Sequence, residues 1–111
     1  MKYPIINVII PAYNEEGSIG HVIKDVPRQV AQIIVVSNNS TDATETIASA
    51  AGAIVLSEPK RGYGYACLKG MEYVSEQEIK PDIIVFLDGD YSDYTEQLIE
   101  LIIPILEMDI D

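Results

Sequence analysis

Four short runs of consecutive apolar residues punctuate the chain: Ile5 to Ile10 with Asn7 as the one polar member, Ile33 to Val36, Ala53 to Leu56, and Ile83 to Leu87. Between them the pattern changes, and apolar residues recur at three- and four-residue spacing, as in Ile19, Val22, Ile23 and Val26, or in Cys67, Gly70, Met71 and Val74. The first pattern is that of a strand covered on both faces, the second that of a helix with one apolar stripe. Pro27 is expected to stop the first helix. Asp42, with Glu45 three residues on, marks a capping box for a second helix that runs towards Ala51 and ends at Gly52, and Gly62 and Gly64 precede the third. A last helix is expected from near Asp93, with Glu96 three residues on, burying Leu98, Leu101, Ile102 and Ile105 and kinked or shortened by Pro104.

Strands that alternate with helices imply βαβ crossovers, because parallel neighbours need a long return connection. The expected fold is therefore α/β, a Rossmann-like parallel sheet with flanking helices. Ligands of such sheets bind just beyond the carboxyl ends of the strands. The 111 residues allow one domain at most. The stop at Asp109-Ile110-Asp111, where a further strand could begin, gives the expectation of a domain truncated at its C-terminal end.

Charge narrows the partners. The net charge of -11 is unevenly spread: up to Gly70 six acids balance six Lys or Arg, and all the excess acid follows, with Lys80 as its one cation. A nucleic-acid backbone is excluded as partner, since polyphosphate needs a basic face. A free nucleotide bridged by a cation stays open, beside the plainer reading of a solvated acidic surface. The single Cys67 excludes an internal disulfide and is expected to be a buried, inert thiol in a reducing compartment. His21 is assigned no role. With no signal segment and no apolar run long enough to span a bilayer, the chain as given reads as soluble and cytoplasmic.

Candidate chemistry gathers where strands end. Pro11-Ala12-Tyr13-Asn14-Glu15-Glu16 offers an aromatic face, an amide and carboxylates; alternatively Asn14 caps the next helix, the two acids complement its dipole and Tyr13 packs. Ser37 to Asp42 could meet a base or ribose, or form a turn and cap. Lys60-Arg61 precedes a helix and could meet a phosphate, but the dinucleotide fingerprint fails because Cys67 stands where its third glycine belongs. Asp88-Gly89-Asp90 is the sharpest motif. Mg²⁺ and Mn²⁺ take oxygen ligands, commonly one or two carboxylates plus substrate phosphates, and the alternative is a pair of turn acids.

Taken in order, Pro11 to Glu15, Ser37 to Thr44, the Gly62-x-Gly64-x-Ala66-x-x-x-Gly70 pattern and Asp88-x-Asp90 resemble the family 2 glycosyltransferases of the GT-A fold. The glycine pattern and the Asp-Gly-Asp-Tyr-Ser segment are most similar to the branch of dolichyl- and polyprenyl-phosphate sugar synthases. The resemblance implies the N-terminal half of a GT-A fold, with residues 1–111 as its nucleotide-sugar-binding part. It implies that Pro11, Ala12, Tyr13 and Glu15 line the nucleoside pocket, with Ser37 and Asn38 beside the base and Asp88 and Gly89 at the nucleotide. Asp88 and Asp90 would hold Mg²⁺ or Mn²⁺ on the diphosphate. The family often has acids where Ser37 and Asn38 stand, and some polyprenyl-phosphate enzymes have Gln where Ser92 stands. The implied reaction is an inverting displacement from a nucleotide sugar, with the catalytic base and a lipid-phosphate acceptor site expected beyond Asp111, at the cytoplasmic face of a membrane in a longer protein. Two other readings stay open: a phosphohydrolase of the haloacid dehalogenase type, with Asp88 as nucleophile and Asp90 as acid/base, and a non-catalytic nucleotide-binding module.

Overall fold

The computed structural model describes residues 4–89 and the backbone of residues 102–104. The four apolar runs form strands β1 (Ile6–Ala12), β2 (Gln32–Ser37), β3 (Ile54–Ser57) and β4 (Ile83–Phe86). The periodic segments between them form helices α1 (Ile19–Lys24), α2 (Thr44–Ala50) and α3 (Tyr63–Ser75). A short strand, β5 (Ile102–Pro104), completes a sheet of order β3-β2-β1-β4-β5. The first four strands run parallel, and β5 runs antiparallel to β4, pairing Ile84 with Ile103.

β5 corrects one expectation. Ile102 belongs to a strand rather than to the buried face of a helix, and the rest of that expected helix lies outside the described residues. Pairing with the open side of β4 satisfies backbone groups that would otherwise need another partner. Pro104 sits at the end of this outermost strand, a position where a missing N–H is tolerated.

β1 is the axis of the fold, flanked by β2 in one direction and β4 in the other. Its alternation feeds two layers. Val8, Ile10 and Ala12 pack with Ile19, Val22 and Ile23 of α1 and Ala48 of α2, whereas Ile9 joins Ile34, Val36, Ile84 and Phe86 beneath Ala66 and Val74 of α3. Gly70 lets α3 approach closely, since a Cβ there would lie 2.6 Å from Ile9 Cγ2. From β1 the chain winds outward through β2 to β3, returns over the opposite layer by α3, and enters β4 on the far side of β1. The carboxyl ends of β1 and β4 thus flank a topological switch point, the usual ligand crevice of such sheets.

Candidate functional site

A cleft of about 310 Å³ opens at that switch point. Pro11, Ala12, Tyr13 and Glu15 line it from the end of β1, Asn38 from the end of β2, Asp88 and Gly89 from the end of β4, and Tyr63 and Ala66 from the start of α3. Tyr13 is 50% exposed, so it presents its ring rather than packing it away. Gly89 forms a tight floor. A Cβ there would lie 3.1 Å from Ala12 Cβ and 3.2 Å from Glu15 Cγ, and the Gly89 carbonyl accepts a 2.7 Å hydrogen bond from Ser18 Oγ.

Of the residues singled out in the sequence, Pro11, Ala12, Tyr13, Glu15, Asn38, Asp88 and Gly89 come together here. Ser37 does not. It shares the face of Val35, turned toward the layer of α1 and α2, and is fully buried with an Oγ that has no hydrogen-bond partner, so its side chain is kept from any ligand in the cleft. Asp90 lies outside the described residues.

Asn38 is placed as expected but employed differently. Its Nδ2 donates to the carbonyls of Glu58 (3.1 Å) and Lys60 (2.6 Å), and its Oδ1 accepts from the Gly62 N–H (3.0 Å). Asn39, in the left-handed region at φ 66°, donates from Nδ2 to the Pro59 carbonyl at 2.7 Å. The carboxamide expected beside a base therefore ties down the loop between β3 and α3. Lys60 and Arg61 do not line the cleft, and the Lys60 ammonium lies 5.3 Å from the centre of the Tyr65 ring.

Tyr63 went unnoticed in the sequence because it fills the unspecified position between Gly62 and Gly64. The signal available was its place as the first residue of a helix that follows the carboxyl end of β3. Cys67 lies one turn on, and burial, then the charges of Cys67 and Asp88, push the phenol up to about 12. Burial also pushes the Cys67 thiol up, Asp88 adding to this while the nearby Tyr63 hydroxyl opposes it, and the thiol is half-buried rather than enclosed. Both groups stay neutral near pH 7. Tyr63 is thus an O–H donor at the cleft wall.

The loop between β1 and α1 is held by the loop between β2 and α2. Asn14, at φ 49°, does not cap α1; its Oδ1 accepts from the Thr41 N–H at 2.7 Å, while Ser18 stands at the start of the helix. The Glu15 N–H donates to Thr44 Oγ1 (2.8 Å) and the Glu16 N–H to Asp42 Oδ2 (3.2 Å), and the Ala43 N–H donates back to Glu16 Oε1 (3.1 Å). Asp42 also accepts from the Thr44 N–H at 2.9 Å and from the Thr44 hydroxyl. Desolvation pushes its carboxyl up, but the bonds from Thr44 and Glu16 outweigh this and hold it below the ordinary value.

A sheet wound in both directions from β1, with a polar and aromatic cleft at the switch point, defines this chain as a doubly wound α/β protein. Residues 7–109 match the model of Glycosyl transferase family 2, and the chain belongs to that family. It is 40% identical over 87 residues to the protein RfbJ of Shigella flexneri, covering 77% of this chain and 64% of that one. With the low-salt glycan biosynthesis hexosyltransferase Agl6 of Haloferax volcanii it shares 36% identity over 104 residues, covering 89% of this chain and 24% of the relative. The crystal structure of glucosyl-3-phosphoglycerate synthase from Mycobacterium tuberculosis, in complex with Mn²⁺, UDP and glucosyl-3-phosphoglycerate, superposes with a TM-score of 0.67 at 34% identity, covering 78% of this chain and 34% of that one. The chain thus spans less than two thirds of the length of these relatives. Family membership overturns the phosphohydrolase reading of Asp88 and Asp90.

Proposed function

We propose that this chain is the donor-binding part of a glycosyltransferase and that its cleft receives the nucleoside diphosphate of a nucleotide sugar. The observation that carries the reading is the convergence of Tyr13, Glu15, Tyr63, Asp88 and Gly89 at the switch point between β1 and β4. In it, the Tyr13 ring and the Pro11-Ala12 backbone face the nucleoside, Glu15 accepts from its hydroxyl or amide groups, and the Tyr63 hydroxyl donates. UDP is the probe of choice because the solved synthase from Mycobacterium tuberculosis holds it.

Asp88, exposed at the end of β4 and lining the cleft, is the first candidate ligand for Mg²⁺ or Mn²⁺, with Asp90 as the second. The donor set suits such a cation. A hard cation of this kind takes one or two carboxylates and completes its shell with phosphate oxygens and water. When bound, the cation would neutralise charge developing on the leaving diphosphate. The reaction in this reading is an inverting displacement in which an acceptor oxygen attacks the sugar carbon as the nucleoside diphosphate departs. The acceptor carries a phosphate, and polyprenyl phosphate, at a membrane face, is the form the glycine pattern favours.

Calorimetric titration with UDP tests the reading. Binding is expected in Mn²⁺ and lost in chelator, because an anionic cleft repels an anionic ligand unless a cation bridges them. Asp88→Ala and Asp90→Ala should each weaken metal-dependent binding by at least roughly tenfold. Equal affinity in chelator would overturn the metal assignment, and no uptake of UDP under either condition would overturn the donor-binding reading.

A further inference from the structure

We propose that Asn14, Asp42 and Thr44, none of which lines the cleft, act together as a strap that positions Tyr13 and Glu15 for the ligand; this rests on the donor-binding reading above. The segment that carries Tyr13 and Glu15 joins β1 to α1 and runs over the surface, where a loop is ordinarily free to rearrange. Here three consecutive amides are taken up by side chains of a single neighbouring segment, Ser40 to Thr44, where β2 leads into α2. The Asn14 N–H donates to Ser40 Oγ (3.1 Å), the Glu15 N–H to Thr44 Oγ1 (2.8 Å) and the Glu16 N–H to Asp42 Oδ2 (3.2 Å).

The strap is braced from both sides. Thr44 is fully buried, and its hydroxyl accepts from Glu15 while donating to Asp42, so its orientation has no freedom left. Asn14 takes the left-handed conformation that few residues other than glycine tolerate, and its side chain locks that turn onto Thr41. On the far side of Glu15 its carbonyl accepts from Ser18 (3.0 Å) and Ile19 (2.8 Å), and Ser18 Oγ reaches the Gly89 carbonyl. The turn bearing Tyr13 and Glu15 is therefore fixed before any ligand arrives. A site held in this way has less ordering to lose on binding.

The experiment must separate positioning from general support of the fold, and a double-mutant cycle does so. UDP affinity in Mn²⁺ is measured for Thr44→Val and Asn14→Ala, for the conservative Thr44→Ser and Asn14→Asp, and for the first pair again in a Tyr13→Ala, Glu15→Ala background. Thr44→Val and Asn14→Ala should each weaken UDP by roughly tenfold, the upper end of what one hydrogen bond contributes. Thr44→Ser and Asn14→Asp should restore most of it, because both keep the acceptor oxygen. In the background without Tyr13 and Glu15 the loss should vanish, since the strap has nothing left to place.

An equal loss in both backgrounds, or no loss in either, overturns the strap. Amide hydrogen exchange at residues 14–16 without ligand supplies a second readout: it should quicken in Thr44→Val, and unchanged exchange also counts against the proposal. Should Thr44→Val not fold, Asp42→Ala takes its place, with the same outcomes. Wild-type protein that takes up no UDP defeats the donor-binding reading and this assignment with it, whereas wild type that binds alongside variants that bind equally well defeats the strap alone.

Discussion

Tyr63 shows how much of a site one side chain can hold. Its phenol, pushed up to about 12 by burial and by the neighbouring Cys67 and Asp88, keeps its proton well past the point where an ordinary tyrosine at 10.0 loses it. Tyr63 is 55% exposed, so solvent screens most of this; the small contribution to stability that is left is present below pH 10 and is lost as the pH rises toward 12. Alkaline titration followed by tyrosinate absorbance should show a late-ionising phenol that Tyr63→Phe removes; an unchanged titration curve would mean that the Tyr63 phenol is not shifted. At this scale the sequence was partly legible. Tyr13, Glu15, Asp88 and Gly89 announced themselves because apolar strands end beside them, and strand ends are where such folds bind ligands. Ser37 carried the same signal, but alternation turns it into the core, while Asn38 does line the cleft with three backbone partners on its carboxamide.

Among the elements, α3 is the one most sharply constrained by a single position. At Gly70→Ala the new methyl meets Ile9 Cγ2 at 2.6 Å and Ile9 Cδ1 at 3.2 Å, so the helix must lift or Ile9 must leave its place in the core. A loss of about 1–3 kcal/mol, the usual range for overpacking, should appear in urea unfolding; a neutral substitution would mean that Ile9 can swing aside. The glycine pattern in the sequence pointed to this helix, and its apolar stripe gave the buried side correctly at Gly70 and Val74. The four parallel strands were legible for the same reason, as runs too apolar to face water. β5 was not, since Leu98, Leu101, Ile102 and Ile105 recur at helical spacing and a three-residue strand has too few alternations to compete.

For the molecule as a whole, β1 is both the centre of the sheet and the carrier of the cleft. Val8, Ile9 and Ile10 are fully buried, and the strand is paired on both sides, so native-state amide exchange should be slowest there and markedly faster in β3, whose residues are half-buried or exposed. Faster exchange in β1 than in β3 would contradict the layered core. The winding has a further effect. Everything from β1 to β3 lies to one side of a seam between β1 and β4, and the cleft draws its walls from both banks of that seam. Whatever fills it therefore rivets two flaps of one sheet together, so the protein would feel its ligand mechanically, as a cross-brace that resists prying β4 away from β1.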